Sequence, residues 1–294
     1  MDHPGRPPLF NSAHLRFEPF LIPQFRSAYT PGRMMRQGWL RVAAIAVAAV
    51  LVGGVAPAQF GGPRGRFSPR RNIGYDGRFT FVRLNYTTAP GGYFYRGEPA
   101  WAHGYPLAEQ NLMSIMNEVS YLGAHVEEIN SLTLDDPELF KFPIAYVIEP
   151  DWWAMTDGEA VALRDYLQKG GFLIVDDFKG RNFRGGGGWE TFERNMKRAL
   201  PEGRFVDLAI SHPIFHSFFE IKSLDIPQAY VGGDPIFRGL FEGNDPDKRL
   251  QIIVNFNTDI SQFWEWSGTG LRPIADTNES YKLGVNYIVY GMTH

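Results

Sequence analysis

The chain has 294 residues, a formal net charge of −3 and no cysteine. Without thiols it forms no disulfides, thiolate metal sites, Fe–S clusters or cysteine nucleophiles, so its fold rests on a hydrophobic core. From Phe79 onward 18 Lys and Arg face 29 Asp and Glu, a net of −11, the wrong sign for a nucleic-acid binder.

Residues 1–34 are proline-rich and lack helical or strand periodicity, and read as a disordered extension or a mis-called start ahead of Met34 or Met35. Residues 35–58 have the form of an export signal. Arg36 and Arg41 precede the unbroken apolar run Val42–Val52, and Ala56-Pro57-Ala58 offers small residues before Gln59. An apolar core of 11 residues is short for a bilayer span, so a cleaved signal is expected, with an uncleaved signal anchor as the alternative. No Arg-Arg pair precedes the run and no cysteine follows it, which favours the general secretory route and leaves no lipoprotein anchor. The mature chain is then periplasmic or secreted, with no stable membrane span after cleavage. Residues 59–78 form a basic, Gly/Pro-rich linker whose five arginines can meet anionic lipid or polymer.

One α/β domain is expected over 79–294. Phe79–Tyr86 reads as a strand, and an aromatic loop with Trp101-Ala102-His103 follows it. Leu107–Leu122 reads as a helix with Pro106 in its first turn and Gly123 as its stop, and a second strand is expected around His125–Ile129. Ile144–Glu149 is a short apolar strand, and Thr156-Asp157-Gly158-Glu159 is a capping box opening a helix to Lys169 that buries Val161, Leu163, Tyr166 and Leu167. Gly170-Gly171 ends it, and Phe172–Asp176 is apolar on consecutive residues, as a strand covered on both faces is. Strand, helix and strand make a βαβ crossover with parallel strands. Trp189–Leu200 reads as a helix and Phe205–Ile210 as a strand. Ile236–Phe241 and Leu250–Phe256 flank a turn and predict an antiparallel edge or hairpin, and Ser280–Met292 closes the fold as a helix.

Open parallel sheets bind ligands at the carboxyl ends of their strands. Two such ends are acidic: Glu149-Pro150-Asp151 and Asp176-Asp177. Asp176 or Asp177 with Glu149 are the candidate catalytic carboxylates, since paired acids can share a proton or hold Mg²⁺ or Ca²⁺. The structural alternative is that they accept loop amides or pair with Lys179 or Arg181. Asp151, Trp101, His103 and Arg181 are the candidate ligand-binding residues, the loop aromatics offering faces on which a sugar ring stacks. The glycine run before Trp189 lacks the Lys-Ser/Thr ending of a P-loop, His212 and His216 lack the acid of a metalloprotease helix, and no Gly-x-Ser-x-Gly elbow is present. No metal ligand set is assigned and no cofactor is expected, a divalent cation being the exception that paired carboxylates allow.

Taken together, Phe79–Tyr86, Tyr105–Leu112, Leu163–Asp177, His212–Phe215 and Tyr281–Tyr290 resemble the bacterial domain of unknown function 4159 family over nearly all of 79–294. The resemblance implies a class I glutamine amidotransferase-like fold, a flavodoxin-like three-layer sandwich with a mostly parallel sheet. Strand Phe172–Asp176 here runs into Asp177-Phe178 where an amidotransferase has its cysteine, so that chemistry is not expected. Gly104 stands where many members have an aspartate before the Tyr-Pro pair. The expected function is therefore non-catalytic binding of an envelope ligand or protein partner at the strand rim, with an envelope hydrolase using paired carboxylates and a structural scaffold as alternatives.

Overall fold

The structure is a computed structural model that describes residues 70–294 apart from 91, 93, 96, 179–187 and 227–232. The expected signal peptide and Arg181 lie outside the described residues.

Among the described residues nine strands and five α-helices follow one another: β1 (Val82–Leu84), β2 (Phe94–Tyr95), β3 (Glu98–Pro99), α1 (Leu107–Val119), β4 (Asn130–Leu132), β5 (Ile144–Ile148), α2 (Asp157–Gln168), β6 (Phe172–Phe178), α3 (Gly188–Ala199), β7 (Phe205–Asp207), β8 (Ile236–Phe241), β9 (Leu250–Phe256), α4 (Ile260–Glu265) and α5 (Ile274–Thr293). Seven of the strands form one sheet in the order β4-β1-β5-β6-β9-β8-β7, while β2 and β3 make a separate two-stranded ribbon. The first five strands of that order are parallel, and β8 and β7 add the antiparallel edge. The parallel βαβ expectation holds, with Ile144 opposite Phe172 and Ile148 opposite Asp176, although the first strand ends at Ile148 rather than Glu149, the helix at Gln168 rather than Lys169, and the second strand runs on to Phe178.

Strand alternation divides the core into two layers. Tyr146, Ile148, Phe172, Ile174 and Ile253 face α1, α4 and α5, whereas Ala145, Val147, Leu173, Val175 and Val254 face α2 and α3. Two independent apolar faces explain why these strands read as continuous apolar runs. The result is a three-layer α/β sandwich, consistent with a flavodoxin-like arrangement. The first helical layer is tight at Gly284, where an added Cβ would lie 2.7 Å from the Trp264 ring and 2.9 Å from Leu112. That contact sets the level at which α4, α5 and α1 meet.

The capping box forms as expected, with Glu159 N–H donating to Thr156 Oγ1 at 3.1 Å and Thr156 N–H to Glu159 Oε2 at 2.7 Å. Several expectations shift. The second expected strand is Asn130–Leu132 and not His125–Ile129: the ladder to β1 runs from Val82 opposite Asn130 to Leu84 opposite Leu132, while His125 donates its N–H to Phe79 O ahead of β1 and turns its ring toward Asp76. Asn and Ser are poor strand formers by propensity, which hid this element. Helix α1 ends at Val119, where Ser120 turns extended and folds its N–H and hydroxyl back onto Met116 O. Val161 and Leu107 are exposed, since Ala160 and Ala108 take the inward positions beside them. Strand β7 stops at Asp207, and α5 begins at Ile274, right after Pro273.

Residues 72–78, expected as linker, run along the outer edge of β4. Asn72 and Ile73 exchange four hydrogen bonds of 2.7–2.9 Å with Ser131 and Asn130, Asp76 meets His125 Nε2 at 3.0 Å, and Arg78 donates to Gly123 O at 3.0 Å. Side-chain amides thus cover an edge that backbone alone leaves open.

Candidate functional site

Chain order changes direction at β1. The route β1–α1–β4 moves outward to one side, while β5, β6 and β9 extend the sheet on the other. The switch point therefore lies between the carboxyl ends of β1 and β5, where an open α/β sheet leaves its ligand crevice. His103 and Glu149 meet there. His103 Nδ1 donates to Glu149 Oε1 at 2.7 Å, and the Tyr86 hydroxyl donates to Glu149 O at 2.5 Å. Glu149 has φ 47° and ψ 48°, the left-handed region that non-glycine residues rarely occupy.

The same strain recurs along the rim. Asp177 has φ 47° and Asn257 φ 56°, so β5, β6 and β9 each carry a left-handed residue at the carboxyl end. At Asp177 the register to β9 slips between Val175 and Phe178. Left-handed side-chain-bearing residues cost about 1–3 kcal/mol each and persist only where surroundings enforce them, commonly at binding sites. Asp151 sits in the short turn Pro150–Trp152, adjoining Glu149, and is buried, as are Glu149 and Asp177. His103, at 17% side-chain exposure, is the outward member of its pair with Glu149.

A second layer holds the His103 loop from below. Arg83 of β1 and Glu109 of α1 form an ion pair with no solvent exposure on either side chain. Arg83 Nη1 also donates to Trp101 O at 2.7 Å and His103 O at 3.2 Å, and its guanidinium lies over the Tyr146 ring at 4.9 Å. Burial pushes the Glu109 carboxyl up while the Arg83 charge pulls it back. The pair was not foreseen from sequence. The available signal was a lone arginine inside a strand covered on both faces, with a lone glutamate on the buried face of the helix that follows.

The candidate acids part company here. Strand alternation turns Asp176 away from the rim and under α4, where it is fully buried. It accepts from the Tyr146 hydroxyl at 2.7 Å, Asn255 Nδ2 at 3.0 Å, Ser261 N–H at 3.0 Å and Ile260 N–H at 3.3 Å. Tyr287 completes the chain by donating to Asn255 Oδ1 at 2.8 Å. Asp176 thus fastens β5, β6, β9, α4 and α5 together. The sequence expectation that it faces a ligand does not fit this burial. Trp101 is likewise nearly sealed, its ring edge-on to Tyr105 at 6.4 Å, so it packs the loop and offers no open face to a sugar.

His212 and His216 flank a short turn. His212 Nδ1 accepts from Ile214 N–H, and His216 Nε2 donates to Ile210 O, so the two rings fasten the turn. Among the described residues no three His, Asp or Glu side chains form a group able to hold a metal ion. A cavity of about 230 Å³ lined by Arg164, Leu200, Leu240 and Gln251 lies at the opposite end of the sheet, away from these acids.

Burial carries Asp176 up to about 6, the Asp259 charge adds to the rise, and the bonds from Tyr146, Asn255 and Ser261 oppose it. A carboxyl raised above its unfolded value of about 3.9 binds its proton more tightly in the folded state. Its stabilising contribution is complete below about pH 4 and is lost as pH rises through about 6. Urea denaturation of the wild type and Asp176→Asn between these limits should show the wild type alone losing this increment. Parallel profiles would refute the assignment.

A family model described as a domain of unknown function (DUF4159) matches residues 80–292, well over half of the chain. The chain belongs to this family. The match starts within the segment leading into β1 and ends in α5, so the DUF4159 region takes in the switch point, the Arg83–Glu109 pair and the Asp176 network together. No curated protein shows a significant match.

Proposed function

We propose that this DUF4159 protein is exported to the cell envelope and there binds a ligand or protein partner at the carboxyl rim of its sheet, without turning it over. The observation that carries the reading is the His103–Glu149 pair at the switch point, held at 2.7 Å. A left-handed Glu149 and the buried Arg83–Glu109 pair brace it. Asp151 and Asp177 complete the proposed site, and Arg181, outside the described residues, is its remaining proposed contact. Export rests on Arg36, the run Val42–Val52 and Ala56-Pro57-Ala58. Among the described residues no helix is long and apolar enough to cross a membrane.

The same dyad supports a second reading as an envelope hydrolase. A carboxylate on Nδ1 fixes a histidine tautomer in the way a general base requires. The carboxylates of that version are Glu149 and Asp177, since the Asp176 carboxylate is already taken up by Tyr146, Asn255 and the α4 amides. A divalent cation belongs to that reading only.

Soluble peptidoglycan fragments separate the possibilities. A ligand that binds only the native state raises the melting temperature, by several degrees at about 100 times its dissociation constant. The wild type should show that rise and Glu149→Gln should lose it, with the fragments recovered intact. Cleaved fragments would favour the hydrolase, and equal shifts in both proteins would remove Glu149 from the site.

A further inference from the structure

The last residue of α4 brings a further carboxylate to the His103 loop. Gly104, next to His103, has φ 69°, and a Cβ added there would lie 3.1 Å from Glu265 Oε2 and 3.3 Å from the carboxyl carbon. The Glu265 side chain therefore lies against backbone that glycine leaves bare. Two elements thus bring acids to this loop: β5 leads into Glu149, and α4 ends at Glu265.

The fold fixes this placement. At the start of α4, Gln262 N–H donates to Asp259 Oδ1 at 2.9 Å. Near its end, Asn111 Nδ2 of α1 donates to Trp264 O at 2.8 Å, and Trp264 Nε1 donates to Ser280 O of α5 at 3.0 Å. Ile260, Phe263 and Trp264 are buried, so α4 is held along its length and Glu265 with it.

The fold makes no use of this carboxylate. Among the described residues Glu265 accepts no hydrogen bond and forms no ion pair, although it is half-buried. Its oxygens remain open to solvent. The neighbouring cationic groups are committed elsewhere: Arg83 to Glu109 and to the Trp101 and His103 carbonyls, and His103 Nδ1 to Glu149. Burial pushes the Glu265 carboxyl up and the Asp259 charge adds to the rise, while the His103 and Arg83 charges oppose it. A partly dehydrated carboxylate without a donor is a cost to the free protein that a donor on a ligand removes. An ammonium group removes most of it, because it brings hydrogen-bond donors and the missing positive charge together.

We propose that Glu265 is a ligand contact of the switch-point site and that the group it receives is a protonated primary amine. The inference rests on the rim reading and names the chemistry of its ligand. Soluble peptidoglycan fragments test it in four forms: with a free amine on the peptide stem, with a free amine on a de-acetylated sugar, and each of these with the amine acetylated. Titration calorimetry on the full chain should show a free-amine form binding about tenfold more tightly than its acetylated counterpart, as a hydrogen bond to a charged group implies. Glu265→Gln should abolish that preference by weakening the free-amine form alone, whereas Glu149→Gln weakens both. The Glu265→Gln protein should keep the wild-type urea midpoint, since the side chain bonds nothing within the fold. Discrimination by either pair of fragments supports the inference and identifies where the amine sits. Equal binding of free and acetylated forms, or a preference that survives Glu265→Gln, overturns it and leaves the rim reading standing. Binding of no form at all overturns both.

Discussion

Glu109→Ala should lower the free energy of unfolding by about 3–5 kcal/mol, because it strands the Arg83 guanidinium in a site without solvent. For a domain of this size that is on the order of 10 °C in melting temperature. Arg83→Met should cost a similar amount at neutral pH but recover as pH falls, since Glu109 can accept a proton there and burial already favours its neutral form. A guanidinium has no such escape, so the Glu109→Ala deficit should persist across the same range. The double variant Arg83→Met/Glu109→Leu should regain much of the loss, as apolar replacements of buried ion pairs commonly do. Urea midpoints at two pH values decide the matter. A Glu109→Ala loss below about 1 kcal/mol would show that the pair is not sealed.

The second large effect belongs to Asp176→Ala. Four donors converge on that carboxylate: the Tyr146 hydroxyl, Asn255 Nδ2 and the Ile260 and Ser261 amides. Each buried donor left unmade costs about 1–3 kcal/mol, offset in part by relief from burying an acid. A net loss on the order of 4 kcal/mol is expected, with hydrogen exchange rising first in α4, whose opening amides lose their acceptor. Asp176→Asn keeps one acceptor oxygen and should lose less than half as much. Loss of ligand binding with unchanged stability would instead return Asp176 to the rim.

Sequence patterning revealed the central layer well where apolar runs were long. The crossover from Ile144 to Phe178, the Thr156 capping box and the hairpin strands Ile236–Phe241 and Leu250–Phe256 lie where spacing and propensity place them. Elements made of polar residues were harder to read: β4 is Asn-Ser-Leu, and the strap at Asn72 holds its edge through side-chain amides that no hydropathy pattern records. The candidate site was legible as a place and only partly as a set of residues. Strand-end acids marked the rim, and His103 with Glu149 came together there. Whether Asp176 or Asp177 faced that rim depended on which face of β6 each occupied and on a left-handed kink at Asp177, neither of which an adjacent pair of aspartates discloses. Arg83 and Glu109 are 26 positions apart and meet only because α1 returns across β1.

Hydrogen exchange of the full chain with and without soluble peptidoglycan fragments tests the central claim most directly. Binding at the switch point should slow exchange in 85–106 and 149–156, the segments that carry His103 and Glu149, and Glu149→Gln should remove that protection. Protection confined to the cavity beside Arg164 and Leu240, at the far end of the sheet, would contradict the account.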